Sequence, residues 1–180
     1  MKIITLEVIS LDGKFTRWTG KNIYEWSSPE DYEHFVKVRS QNNLLIMGSE
    51  TFIKVKDNEK AGLKPEKERL RVIMTRTPDK FKEFAIPGQI EFTDKPPQEV
   101  VGSLEKRGYK QMLFVGGGKL LASFLKENLI DEIWLTLEPK IFGMGNRLAT
   151  GRKLDISLEL LSLEKLNKKG SLLLKYRIEK

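Results

Sequence analysis

Apolar positions along this chain fall into short runs separated by stretches with a helical repeat. Lys2–Ile9 is an apolar, β-branched run and opens the pattern as a strand. Ser28, followed by Pro29, Glu30 and Asp31, has the form of a helix start: a hydroxyl cap, proline in the first turn, and acids near the positive end of the helix. Tyr32, Phe35 and Val36 carry that helix to about Ser40. Asn43–Met47 is a short buried strand ending at Gly48, and Ser49 is read as the cap of another helix or turn. Leu70–Thr75 and Ile90–Thr93 are strands, Pro96 or Pro97 begins a helix through Arg107, and Lys110–Val115 is a further strand. Gly116-Gly117-Gly118 then leads into a helix over Lys119–Glu127 and a strand over Ile130–Leu137. Two extended runs, Leu158–Leu163 and Ser171–Ile178, close the chain as a hairpin about Asn167–Gly170.

Strands alternating with helices predict a parallel-cored α/β sheet, and the final hairpin predicts an antiparallel edge. Ligands on such sheets sit at the carboxyl ends of the strands, near a switch point. Two segments do not fit the alternation. Lys54–Arg69 is strongly charged and reads as an exposed excursion. Ser10–Ser28 is a long connection holding Phe15, Trp18, Tyr24 and Trp26; its length suggests function, and its aromatics argue against disorder.

The 180 residues suffice for one well-packed domain. There is no cysteine and a single histidine, so disulfides, thiolate chemistry and a multi-histidine zinc site are excluded or disfavoured, and no metal is expected. No apolar run is long enough to span a bilayer, and the N-terminus reads as a first strand and not a signal peptide, giving an expectation of a cytoplasmic protein with no membrane partner. The 32 Lys and Arg exceed the 25 Asp and Glu, a net charge of +7. These charges are scattered and interleaved with acids, which favours steering of a small anionic ligand over nucleic-acid binding.

The glycine cluster carries the first chemistry. A strand, a Gly-rich turn and a helix N-terminus can present backbone N–H groups to a phosphate, although the same residues also make a plain tight turn. The cluster is neither a G-x-G-x-x-G fingerprint nor a Walker loop.

Around it the chain resembles the reductase domain of riboflavin biosynthesis (the RibD C-terminal domain), which shares its fold with dihydrofolate reductase. The resemblance rests on Phe114-Val-Gly-Gly-Gly-Lys-Leu-Leu, Leu129-Ile-Asp-Glu-Ile and Pro139-Lys-Ile-Phe-Gly143. It extends to Ser10-Leu-Asp-Gly-Lys14, His34–Arg39, Leu44–Gly48 with Thr51, and Arg71–Thr75, in order from about residue 3 to 145. It implies a dihydrofolate-reductase-like three-layer α/β/α domain spanning the chain, with a mixed, mostly parallel sheet and a C-terminal antiparallel hairpin. It further implies NADPH as cofactor, a small-molecule substrate, and a homodimer.

By position, the resemblance puts Val115, Gly116, Gly117, Gly118, Lys119 and Leu120 around the pyrophosphate, and Gly48, Ser49 and Thr51 along the cofactor. Thr75, Arg76 and Thr77 would meet the adenosine 2′-phosphate, a task suited to a guanidinium fork. Asp31 and Thr136 correspond to the acid and threonine of dihydrofolate reductases, though Asp31 is also a natural first-turn helix acid. Asp12, Lys14, Trp18, Phe35 and Arg39 fall on the substrate side. Asp12 would bond the substrate or simply make the Asp-Gly turn, and Lys14 would hold a substrate phosphate. The loop Leu11–Trp26 would be a mobile lid over the nicotinamide, unless its tryptophans pack on the core. His34 reads as a surface residue.

Two departures bear on the substrate. Val115 stands where riboflavin reductases carry Glu, which is the folate-reductase-like choice, and their T-V-L-x-D-[DN]-P segment is absent. The expected activity is therefore reduction of a pyrimidine- or pterin-like substrate. The riboflavin precursor 5-amino-6-(5-phosphoribosylamino)uracil is the first candidate and a dihydrofolate-type substrate the second. A non-catalytic nucleotide- or nucleic-acid-binding module is the reading from another class.

Overall fold

A computed structural model describes residues 1–19, 23–57 and 68–180. The expected strands form one eight-stranded sheet: β1 (Lys2–Ser10), β2 (Leu44–Gly48), β3 (Leu70–Met74), β4 (Ile90–Thr93), β5 (Gln111–Phe114), β6 (Glu132–Glu138), β7 (Leu158–Lys165) and β8 (Leu172–Ile178). Their order is β4-β3-β2-β5-β1-β6-β8-β7. The first six are mutually parallel, while β8 runs antiparallel to both β6 and β7. Among the described residues the α-helices are α1 (Pro29–Ser40), α2 (Ser49–Val55), α3 (Pro97–Lys106) and α4 (Gly118–Lys126). The α/β class, the mostly parallel sheet and the closing antiparallel hairpin are as expected.

Period-two alternation along the strands sorts their side chains into two layers. Ile3, Leu44, Ile46, Leu70, Met112 and Phe114 pack against α3 and α4 through Leu104, Leu121 and Phe124. Ile4, Leu45 and Leu113 face α1 through Val38. On that second face, Met47, Ile73 and Ile90 pack on Phe52 of α2. Helices therefore cover both faces, giving three layers.

Local details differ from expectation in two places. Gly48, not Ser49, occupies the N-cap position of α2, and Ser49 is its first helical residue. Pro78–Phe84 forms a 3-10 stretch where no element was expected, and its Phe81 and Phe84 pack edge-on against Phe52. Most of the charged excursion lies outside the described residues, with α2 running to Val55 before it. Among the described residues, no helix is long and apolar enough to cross a membrane.

The sheet opens at one place. Pairing of β1 with β5 ends at Thr5↔Phe114, whereas pairing of β1 with β6 continues to Ser10↔Glu138. Beyond Thr5, β1 loses its neighbour on one side because the chain turns away at the glycines. This is the switch point between the leftward crossover β1–α1–β2 and the rightward crossover β5–α4–β6.

Candidate active site

A cleft lies at that opening, beneath α1. It encloses about 820 Å³ of empty space, its open mouth included. Leu6, Glu7 and Val8 of β1 form one wall, with Trp134 and Thr136 of β6 beside them. Asp31, His34 and Phe35 descend from α1, Leu45 and Met47 come from β2, and Thr51 with Val55 from α2. Val115 and Gly116 of the glycine turn complete it, and Ile23 and Tyr24 stand at its entry.

Asp31 does two jobs. Its backbone N–H donates to Ser28 Oγ at 3.3 Å, closing the cap of α1. Its carboxylate accepts from the hydroxyls of Thr136 and Ser27. The residue is 9% exposed, and burial lifts its pKa to about 6 against those hydrogen bonds. The helix acid and the cleft acid are thus one residue, and the structure brings together the expected Asp31–Thr136 pair. The pair is held from behind. Glu138 accepts from Ser28 N at 2.7 Å and from Ser171 Oγ at 2.6 Å, tying the start of α1 to β6 and to the hairpin. Asn167 in the hairpin turn donates to Glu30 at 3.1 Å and to Ser171 Oγ at 3.0 Å.

Glu7 is the residue that sequence reasoning passed over. It is 8% exposed, accepts from Thr5 Oγ1 at 2.8 Å and from the Gly116 N–H, and burial raises its pKa to about 8. A signal existed: a carboxylate in the middle of the run Ile-Ile-Thr-Leu-Glu-Val-Ile, in a central strand covered on both faces, is costly unless it serves something. His34 was misread as a surface residue. It is half-buried in the cleft, lies 6.0 Å from the Trp134 ring, and has its pKa lowered by burial.

The glycine turn sits against this cleft. Gly116 and Gly117 have φ of 89° and 106°, in the left-handed region, and α4 begins at Gly118. A Cβ on Gly118 would lie 2.6 Å from the Arg147 carbonyl, so only glycine lets that backbone pass. Lys119 and Leu120 follow in the first turn of α4, with Leu120 approaching Gly48. Gly48, Ser49 and Thr51 stand at the end of β2, and Thr51 meets Gly116 across the gap. Thr75, Arg76 and Thr77 follow β3 at the same carboxyl edge but do not line the cleft. Thr75 is bonded to the end of β4 through Thr93 O at 2.9 Å, and Arg76 is exposed.

Other expected substrate residues lie elsewhere. Asp12 accepts from Ser10 Oγ at 2.6 Å and from the backbone N–H groups of Phe142 and Gly143 at 3.1 and 2.8 Å. The Ser10 hydroxyl and these amides hold its pKa down at about 2. Its carboxylate therefore makes the turn and ties it to the segment after β6, the second of the two roles foreseen. Lys14 is buried and its backbone pairs antiparallel with that of Arg147, away from the cleft lining, which corrects its expected place beside a substrate phosphate. Trp18 is 66% exposed and also outside the lining, whereas Trp26 is 3% exposed and packs edge-on against Phe142 at 5.0 Å.

Of the two readings of Leu11–Trp26, a mobile lid or tryptophans packed on the core, the described residues show a loop tied down at several points, with one tryptophan packed. Leu11 N bonds Lys140 O, Phe15 N bonds Asn146 O, and Thr16 Oγ1 accepts from Asn146 N, while Trp26 is in the core. Residues 20–22 of that loop lie outside the described residues. Arg39 does not line the cleft; it stacks over Phe35, which does, at 5.7 Å. Among the described residues no group of His, Asp and Glu is arranged to hold a metal.

The fold has parallels. A structure from Shewanella sp. PV-4 attributed to riboflavin biosynthesis superposes with a TM-score of 0.80 at 22% identity, covering all of both chains. The diaminohydroxyphosphoribosylaminopyrimidine deaminase/5-amino-6-(5-phosphoribosylamino)uracil reductase of Thermotoga maritima matches with a TM-score of 0.77 at 19% identity, over 99% of this chain and 56% of its own. In sequence, the uncharacterized protein YyaP of Bacillus subtilis (strain 168) is 24% identical over 170 residues, 89% of this chain and 87% of that one. The family model of the RibD C-terminal domain matches residues 1–171, and with that match the chain belongs to the RibD C-terminal domain family.

Proposed function

We propose that this protein is an NADPH-dependent reductase of a pyrimidine- or pterin-like heterocycle, of the 5-amino-6-(5-phosphoribosylamino)uracil reductase type. The carrying observation is the Asp31–Thr136 pair, set in a largely apolar cleft that opens directly on the glycine turn. Family membership supports the same reading.

The residues at the carboxyl edge fit a dinucleotide. Gly117 to Leu120 offer backbone N–H groups and the positive end of α4 to a pyrophosphate, the Gly116 N–H being taken by Glu7. Gly48, Ser49 and Thr51 flank it, and Thr75, Arg76 and Thr77 offer two hydroxyls and a guanidinium to a 2′-phosphate. When bound, NADPH supplies the hydride. The chain's own part is orientation and exclusion of water. Ionised Asp31, steadied by Thr136, accepts from the N–H edge of the ring. Phe35, Leu6, Val8 and Met47 enclose its faces.

A dihydrofolate-type substrate is the second reading, favoured by one observation: among the described residues no Lys or Arg lines the cleft to meet a ribose phosphate. The protein acts as a homodimer in this proposal, supported by the edge strand β7, which exposes Leu158, Leu160, Leu161 and Leu163.

The test is a fluorescence titration with NADPH and NADH on the wild type and on Arg76→Ala. NADPH is expected to bind the wild type about tenfold or more tighter than NADH, and Arg76→Ala to remove that preference. Absence of binding by either dinucleotide would sink the reductase reading, and equal binding of both would remove the role given to Arg76. NADPH consumption with each candidate substrate then chooses between them.

A further inference from the structure

The strand opening that forms the cleft is flanked by two carboxyl groups from opposite layers. Asp31 approaches from α1, on the same side of the sheet as Leu6, Val8 and Thr136. Glu7 alternates with Leu6 and Val8, so it points to the other face, and it reaches the cleft only because β5 has turned away beyond Phe114. Its carboxyl stands beside the glycine turn, bonded to the Thr5 hydroxyl and the Gly116 N–H, and the residue lines the cleft.

We propose that Glu7 is the proton donor of the reduction, acting across the sheet opening on the ring that Asp31 holds from the opposite side. This inference rests on the reductase reading given above. The carbon of the substrate's C=N bond takes the hydride from a reduced nicotinamide dinucleotide. The π pair of that bond moves to nitrogen, and nitrogen takes the proton of the Glu7 carboxyl, completing the N–H bond as the O–H bond breaks. The carboxylate left behind is held by the Thr5 hydroxyl and the Gly116 N–H until a solvent proton restores it.

The environments of the two acids divide the work. Burial keeps Glu7 protonated up to about pH 8, while Asp31 is ionised above about pH 6. No charged group sets the Glu7 value; desolvation does, opposed only by its two hydrogen bonds. Among the described residues, the other titratable groups lining the cleft are His34 and Tyr32 on α1 and Tyr24, and Lys119 on α4 is exposed. Burial keeps His34 neutral and Tyr24 protonated at pH 7. Glu7 and Asp31 therefore bracket a window from about pH 6 to about pH 8 in which one is an acid and the other a base.

Glu7→Gln tests the step, because an amide keeps the size and hydrogen bonds but has no proton to give. At pH 7 the variant should lose kcat by about 100-fold or more, with KM and NADPH affinity changed by less than about threefold. The wild-type rate should fall above about pH 8, and that limb should vanish in the variant. A readout independent of turnover is the infrared carbonyl band of a protonated carboxylic acid. It should be present in the wild type at pH 7, titrate near pH 8 and be missing in Glu7→Gln.

An active wild type alongside a fully active Glu7→Gln with an unchanged pH profile overturns this inference and leaves the reductase reading intact. A wild type that neither binds nor oxidises NADPH overturns both. If Glu7→Gln does not fold, the wild-type band decides: an ionised Glu7 at pH 7 overturns the proposal.

Discussion

The glycine turn and the ring cleft share one edge of the sheet but are built from different material. The turn is backbone against backbone. Gly116 and Gly117 adopt left-handed φ, and Gly118 passes under the Arg147 carbonyl. Nearby, Gly145 (φ 143°) lies against Thr16, locking the loop after β1 to the segment after β6. The cleft is side chain against side chain, drawn from β1, α1, β2, α2 and β6. A backbone site needs particular residues close together in the chain. A side-chain site needs only that distant residues meet.

The comparison predicts that the backbone half breaks most sharply. A Cβ on Gly145 would lie 1.8 Å from the Thr16 carbonyl oxygen, in a backbone conformation that L side chains rarely adopt. Gly145→Ala should therefore cost more than about 4 kcal/mol, measured by urea unfolding. Gly116→Ala sharpens the point, since its Cβ would meet Thr51 at an ordinary 3.5 Å. Only its positive φ is penalised there, at about 1–2 kcal/mol.

On the side-chain half, the first lever is protonation. Glu7 is neutral in the folded protein up to about pH 8, but in the unfolded chain it ionises near its ordinary value of 4.5. Between those values the folded state binds the extra proton. Its contribution is therefore complete below pH 4.5, declines as pH rises, and levels off above about pH 8. Glu7→Gln lacks this slope. Its stability relative to the wild type should increase by a few kcal/mol (~3) between pH 5 and pH 8.5. Denaturant unfolding at several pH values measures this difference, and a flat difference would mean that Glu7 is not buried as a neutral acid.

Asp31→Asn tests the other wall. Asn keeps the Thr136 and Ser27 contacts possible but removes the charge that holds the ring. The substrate kcat/KM should fall about 100-fold, while NADPH binding, which depends on the backbone half, should stay within about twofold. Equal loss of both would show that the two halves are not separable.

The same division explains what was legible beforehand. Ser28-Pro29-Glu30-Asp31, the triple glycine and the Asn167–Gly170 turn are written in adjacent residues, and each formed as read. The central strands β1, β2, β3 and β5 were legible because they are buried on both faces. The pairing of Asp31 with Thr136 came only through family resemblance, since more than a hundred residues separate them. Glu7 was missed because nothing local marks the point where β5 leaves β1; only the register, ending at Thr5↔Phe114, turns a costly buried acid into a cleft residue. Lys14 misled for the converse reason, and of the two roles foreseen for Asp12 only the local one, the turn, is seen. Their Asp-Gly-Lys motif is local, but it serves the backbone half, where Asp12 binds the amides of Phe142 and Gly143.

The smallest expected effect concerns the loop itself. Trp18 is two-thirds exposed and outside the cleft lining, while Trp26, eight residues on, is buried with Val8 and Phe142. If the stitched loop belongs to the backbone half, Trp18 contributes neither to packing nor to ring binding. Trp18→Ala should then change stability by less than about 0.5 kcal/mol and leave kcat/KM within about twofold. A loss of kcat/KM beyond tenfold with unchanged stability would mean that Trp18 folds over the bound ring. The loop would then act as a lid despite its hydrogen bonds to Lys140 and Asn146.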